Sequence, residues 1–217
     1  MLIKQRMSHP VKTIEADVPV IEALKRMKHD RLSSYPVVNA HGKLIGIVSE
    51  TDLIKASPSD ATTLSVWEVN TLLSKITVGK VMTTNVITIP EDMVVEEAAR
   101  IMVDNDIDGL PVMRGNELVG FISEGDLFSL FMEMLGARNS GIRVSVLIKD
   151  EEGMLVQLSR RIFEAGGNLV AFSTFLGEST QTREMVFKVN GIDESAIVEA
   201  VKPVVEKILD VRTMTIS

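Results

Sequence analysis

Two short stretches hold the residue types that could do chemistry at a defined place. Gly46-Ile47-Val48-Ser49-Glu50-Thr51-Asp52 is answered by Gly120-Phe121-Ile122-Ser123-Glu124-Gly125-Asp126. Each passes from an apolar run with strand character into a helical one, so the Ser stands at a helix start with the Asp one turn on. There a Ser hydroxyl caps the helix and the acid at the third position reaches back, which is a capping box. The same geometry suits a ligand. A helix start offers unpaired N–H groups and positive partial charge to an anion. The hydroxyl adds a hydrogen bond, and an Asp can accept from both hydroxyls of a ribose. Capping alone requires neither Asp over Glu or Gln nor a Gly three residues before the Ser. Both readings stand.

Little else in the chain points to catalysis. His9, His29 and His41 are scattered, with no ligand partner at metal spacing. There is no phosphate-binding Gly-rich loop, no Gly-x-Ser-x-Gly elbow and no dinucleotide fingerprint. Asp104-Asn105-Asp106-Ile107-Asp108 resembles the start of a calcium loop, but position twelve is Gly115 where such a loop needs Glu, so the stretch is expected to end a helix. Cysteine is absent, which removes disulfides, thiolate ligands and thiol nucleophiles together. The expectation is a protein that is not an enzyme and holds no metal.

The elements that must position the two Ser-x-x-Asp turns come from an internal repeat. Residues 7–56 and 82–130 align with one residue deleted in a turn. Val11, Thr13 and Ile14 match Val86, Thr88 and Ile89 as an extended segment. Asp17 matches Asp92, each placed to cap a helix. Val20, Ala23 and Met27 match Val95, Ala98 and Met102 on one helical face. Pro36-Val37 matches Pro111-Val112 in a short strand, followed by a turn, a strand and a second helix. Each repeat reads β-α-β-β-α, and two such units pair most economically about a pseudo-two-fold axis.

The duplicated motifs, in phase, resemble a tandem pair of cystathionine-β-synthase (CBS) domains over residues 1–136. The resemblance implies that the Ser meets phosphate, the Asp meets ribose, and adenine lies against the segment before the mid-domain strand and the first strand. It implies one site from Ser49, Asp52, Tyr35, Pro36, Val37 and Thr13, and another from Ser123, Asp126, Leu110, Pro111, Val112 and Thr88. Family members often place Arg or Lys between the Ser and the Asp, whereas Glu50-Thr51 and Glu124-Gly125 stand here. A carboxylate beside phosphate repels it, so a monophosphate or a phosphate-free adenosyl compound is favoured over a triphosphate. Lys43, Lys55 and Arg114 compensate only if the fold brings them near.

After Gly136 the pattern changes to β-α-β-β-α-β, the ferredoxin-like split unit. Asp150-x-x-Gly153-x-Leu155 with Gly167-Asn168-Leu169 resembles an ACT domain, which implies Asp150, Gly153, Leu155 and Asn168 as ligand residues for a small metabolite; turn-shaping roles for Gly153 and Asn168 remain open. The order CBS–CBS–ACT resembles the acetoin-utilisation protein B family. The expected organisation is a first CBS repeat over 1–60, a linker helix over 61–76 carrying Trp67, a second repeat over 77–136, a joint over 137–141 and an ACT-like unit over 142–217. Gly136 and Gly141 bracket the joint as a hinge.

The chain has 217 residues and a net charge of −7, with both portions acidic, so no basic face is available to hold nucleic acid. With 45% apolar and 24% charged residues it is expected to fold. No apolar run reaches the ~18 residues of a membrane span, and Met1-Leu2-Ile3-Lys4-Gln5-Arg6 lacks the apolar stretch of a signal peptide. A cytoplasmic location without membrane contact is expected. Leu127, Phe128, Leu130, Phe131, Met134 and Leu135 exceed one buried stripe and predict a homodimer. The leading reading is a regulatory sensor of an adenosyl ligand, such as an adenosine monophosphate, ATP or S-adenosylmethionine, with the ACT-like unit for a second metabolite or dimerisation. The alternative is a ligand-free dimerisation scaffold that regulates a partner protein.

Overall fold

The computed structural model describes residues 1–56 and 75–215, in two compact units, Met1–Leu127 and Phe128–Ser217. The predicted linker helix, with Trp67, lies outside the described residues except for Lys75 and Ile76. In the first unit β1 (Ile14–Glu15) leads to α1 (Val20–Asp30), β2 (Ser34–Val38), β3 (Leu44–Ser49) and α2 (Glu50–Lys55). The pattern returns after a short helix α3 (Val78–Val81) as β4 (Ile89–Pro90), α4 (Val95–Asn105), β5 (Gly109–Arg114), β6 (Glu117–Ser123) and the first turn of α5 (Glu124–Met134), whose later residues belong to the second unit. Each repeat forms a three-stranded sheet, β1-β2-β3 and β4-β5-β6, whose first pair is parallel and second antiparallel. The expected helical faces are the buried ones: Val20, Ala23 and Met27 in α1, and Val95, Ala98 and Met102 in α4. Both helices end on a non-glycine residue in the left-handed region, Arg31 (φ 56°) and Asp106 (φ 54°). The stretch that mimics a calcium loop is thus a helix end, as its sequence predicts.

The repeats exchange their leading segments. Residues before the second repeat bond to the first: Val78 N–H donates to Val18 O at 2.9 Å, Gly79 N–H to Ala16 O at 2.8 Å, and Thr83 and Ile47 exchange bonds at 2.8 and 2.9 Å. Residues before the first repeat bond to the second in the same pattern: Ile3 N–H to Met93 O at 2.9 Å, Lys4 N–H to Glu91 O at 2.9 Å, and Ser8 with Phe121 at 2.8 and 3.3 Å. Matching positions make matching bonds, so the pairing is pseudo-two-fold symmetric.

This exchange overturns the expected caps. Asp17 and Asp92 sit in turns, and the N-cap positions are Pro19 and Val94 with no side-chain cap. The first helical N–H groups are satisfied by the exchanged backbone instead, Val20 N–H by Ile76 O at 2.9 Å and Val95 N–H by Met1 O at 3.0 Å. A helix donor that already has a carbonyl needs no carboxylate.

The second unit contains β7 (Gly141–Lys149), α6 (Met154–Glu164), β8 (Asn168–Leu176), β9 (Thr182–Asn190), α7 (Glu194–Val201) and β10 (Lys207–Met214). The antiparallel sheet order β10-β7-β9-β8 is the ferredoxin-like arrangement. Leu158 and Ile162 of α6 and Ile197 and Val201 of α7 pack with Val144, Val146, Phe187 and Val189 of the sheet. Asp193 caps α7 by accepting from Ala196 N–H at 2.8 Å, and the helix passes into a 3-10 turn at Pro203, where an α-helical N–H would be missing. The expected hinge is instead tied down. Lys188, 3% exposed, donates its Nζ to Gly136 O at 2.7 Å and to Asn139 O at 2.8 Å, clamping the joint to the sheet of its own unit. Among the described residues, no helix is long and apolar enough to cross a membrane.

Candidate functional site

Both Ser-x-x-Asp turns fold as reciprocal caps with the same dimensions. Ser49 Oγ donates to Asp52 Oδ2 at 2.7 Å, Ser49 N–H donates to the same oxygen at 2.9 Å, and Asp52 N–H donates back to Ser49 Oγ at 3.2 Å. Ser123 and Asp126 repeat these three bonds at 2.7, 2.9 and 3.2 Å. Both bonds to each Asp end on Oδ2. Among the described residues Oδ1 has no such partner, which leaves the cap compatible with a ligand hydroxyl. Capping and ligand contact are therefore not exclusive.

The Gly of each motif has a packing role. A Cβ at Gly46 would stand 2.5 Å from Met82 Sδ and 3.1 Å from Thr83 O, and one at Gly120 would collide with Met7 Sδ. Met82 and Met7 belong to the exchanged segments, so Gly lets those segments cross the sheet edge above the turn.

Each turn opens into a cavity whose other wall is supplied by the opposite repeat. The first, of about 490 Å³, joins Ser49, Asp52 and Lys55 to Asn85, Val86 and Ile87 and to 106–109. The second, of about 340 Å³, joins Ser123 and Asp126 to Ser8, His9, Pro10 and Lys12 and to Asp30, Leu32, Ser34 and Pro36. These volumes suit a nucleoside-sized ligand. Ser34 lines both cavities. It is 4% exposed and donates its Oγ to Asp108 Oδ1 of the other repeat at 3.1 Å.

The cavities group these residues differently from the within-repeat sites that the resemblance implies. Tyr35, Val37, Leu110 and Val112 are core residues, Pro111 is buried with them, and Thr13 and Thr88 line neither cavity. Pro36 does line a cavity, but with Ser123 and Asp126 rather than with Ser49 and Asp52. The reason is the exchange, which carries the extended segment of each repeat across to the Ser-x-x-Asp turn of its partner. Of the possible compensating cations only Lys55 reaches a wall; Arg114 is paired with Glu91 at 2.7 and 2.8 Å, and Lys43 lines neither cavity. Sequence reasoning missed 85–87 and 106–109, whose role comes from placement. The available signal was the symmetry itself, since Met7 and Met82 stand at equivalent positions opposite Gly120 and Gly46.

Asp30, on the wall of the second cavity, accepts from Tyr35 Oη at 2.7 Å, lies 3.0 Å from His29 Nδ1 and pairs with Lys12 Nζ at 3.0 Å. These contacts, the Tyr35 bond foremost, hold its carboxyl well below the usual range. Burial, and then the Asp30 carboxylate, push the Tyr35 phenol up.

In the second unit Asp150, Gly153 and Leu155 share a cavity of about 400 Å³, where Arg183 Nε donates to Asp150 Oδ2 at 3.0 Å. Asn168 does not join them. It pairs with Asn190, whereas Lys149, next to Asp150, pairs with Thr182 at the far end of β9. The antiparallel register puts the length of the sheet between Asn168 and the other three.

Comparison with known proteins gives a consistent result for the first unit. The family model for the CBS domain matches residues 3–59 and 78–133. An uncharacterized protein of Methanocaldococcus jannaschii, MJ1426, is 36% identical over 153 residues, covering 58% of this chain and 89% of that protein. The L-aspartate semialdehyde sulfurtransferase of the same organism is 31% identical over 131 residues, but the match spans 60% of this chain and only 23% of that enzyme. Among solved structures, the CBS domain pair of protein MJ0100, in complex with 5′-methylthioadenosine and S-adenosyl-L-methionine, is 30% identical with a TM-score of 0.51, covering 64% of this chain and 98% of that one. A putative acetoin utilization protein from Vibrio cholerae is 25% identical with a TM-score of 0.53, covering 64% and 95%.

Proposed function

This chain belongs to the CBS domain family, and from that premise we propose that it is a non-catalytic, cytoplasmic regulatory protein that senses an adenosyl ligand carrying few phosphates. The observation that carries the reading is the pair of cavities, each with a Ser-capped helix start and an Asp that keeps one carboxylate oxygen for a ribose. The solved pair of MJ0100, with its two adenosyl compounds, supports the ligand class. Glu124 on the wall of the first cavity weighs against a triphosphate. The second unit serves as an ACT-like module, for a second metabolite or for dimerisation. Phe128, Phe131 and Met134, 64%, 49% and 62% exposed, favour a homodimer. They equally support the scaffold reading, in which the dimer regulates a partner protein without a ligand.

Calorimetry with adenosine monophosphate, ATP and S-adenosylmethionine separates these readings. The sensor reading expects binding of the monophosphate or S-adenosylmethionine, weak binding of ATP, and loss in the Asp52→Ala/Asp126→Ala protein. No binding of any of the three to the wild type leaves the scaffold. Sedimentation equilibrium at micromolar concentration tests the dimer, which a monomer would exclude.

A further inference from the structure

The duplication supplies an internal comparison, because the same scaffold is built twice with different charges. Around the first cavity stand Asp106, Asp108 and Ile87. The positions equivalent to them in the other repeat hold Arg31, Ser33 and Lys12. All three exchanges make the surroundings of the first cavity more negative. Two exchanges oppose them: Lys55 of the first cavity against Ser129, and Asn105 against Asp30, which lines the second cavity. Asp108 is also oriented, because buried Ser34 donates to its Oδ1 and its backbone carbonyl accepts from Glu124 N–H at 3.0 Å. The second cavity has Lys12 on its wall, partly offset by Asp30.

We propose that the two cavities divide adenosyl ligands by charge: the first selects a cationic one, such as a sulfonium, and the second accepts an anionic one, such as a monophosphate. The proposal rests on the sensor reading above and adds to it what each site takes. Within the first cavity, Asp108 is the specificity-determining residue and Ser34 its positioning residue. Charges this near to water act through a screened field, so the selectivity is salt-dependent.

The test compares S-adenosylmethionine with S-adenosylhomocysteine, which has the same amino-acid group without the sulfonium charge, and with adenosine monophosphate. Calorimetry on the full chain uses Asp126→Ala to report the first cavity and Asp52→Ala to report the second. The expected result at the first is S-adenosylmethionine at least about tenfold tighter than S-adenosylhomocysteine, with the monophosphate weakest. At the second, S-adenosylmethionine and S-adenosylhomocysteine should differ by less than about twofold, with the monophosphate at least as tight as either. Adding Asp106→Asn/Asp108→Asn to the Asp126→Ala protein should bring the tenfold ratio towards one while retaining an acceptor for Ser34. Raising the salt on the unaltered cavity should shrink the same ratio, a readout that needs no further variant. The same rank order at both cavities overturns the division by charge and leaves the sensor reading intact. No binding of any adenosyl compound to the wild type overturns both.

Discussion

Asp30 and Tyr35 form a contact that belongs to one repeat only, since Asn105 and Leu110 occupy the matching positions. The Tyr35 ring lies in the core while its hydroxyl reaches Asp30 Oδ2 at 2.7 Å. Because the native carboxyl is held below its unfolded value, its contribution is complete above the ordinary carboxylate pKa of about 4 and is lost as pH falls through the lower native value. Tyr35→Phe keeps the ring and removes the hydroxyl bond that does most to hold the Asp30 carboxyl low. It should lower Tm by roughly 3–6 °C near neutral pH. The gap between wild type and variant should be level down to about pH 4 and close below it. Parallel melts from pH 7 to pH 2 check this; a gap that widens in acid would contradict the assignment. The Ser caps act independently of that contact. Ser49→Ala and Ser123→Ala should each cost about 1 kcal/mol, measured by denaturant unfolding.

The exchanged segments depend on glycine where they cross β3 and β6. A side chain at Gly46 would push against both Met82 and the backbone oxygen of Thr83, which is fixed by its bond to Ile47. Gly46→Val should therefore cost about 1–3 kcal/mol and speed hydrogen exchange at Thr83 N–H, whereas Gly42→Ala, with open space around it, should act only through its φ of 72°. Unchanged exchange at Thr83 would show that the methionine simply moves aside. The helices and strands were legible in the sequence because they rest on short-range periodicity, as Val20, Ala23 and Met27 illustrate. The Ser-x-x-Asp turns were legible because capping is local. The crossing was not, because nothing near Asp17 announces that Ile76 will satisfy the helix start at Val20. Residues 85–87 face Ser49 only after the chain has folded, whereas Tyr35 and Val37, which a grouping by repeat joins to Ser49, are buried in the core.

Across the molecule, duplication with exchange makes two sites that share a wall. Ser33 O accepts from Glu50 N–H at 2.7 Å and Asp108 O accepts from Glu124 N–H at 3.0 Å, so the loop before β2 and the loop before β5 each hold the helix start of one site. The Ser34–Asp108 bond ties those two loops together, and Ser34 itself lines both cavities. A ligand that shifts one loop must strain or release the other, which is a route for coupling. Coupling is a change in affinity and must be reciprocal, typically ~5–150-fold. The prediction is that filling either cavity alters the affinity of the other by about fivefold or more. Gly109 stands at the position equivalent to Ser34, so Ser34→Gly is a substitution already accommodated by this scaffold and should remove the effect. The measurement is a two-site titration of the wild type set against the single-site affinities of Asp52→Ala and Asp126→Ala. Coupled sites give wild-type constants that depart from those single-site values in both directions of titration, and Ser34→Gly returns them. If the wild type already matches the single-site values, Ser34 is a structural bond and the cavities act alone.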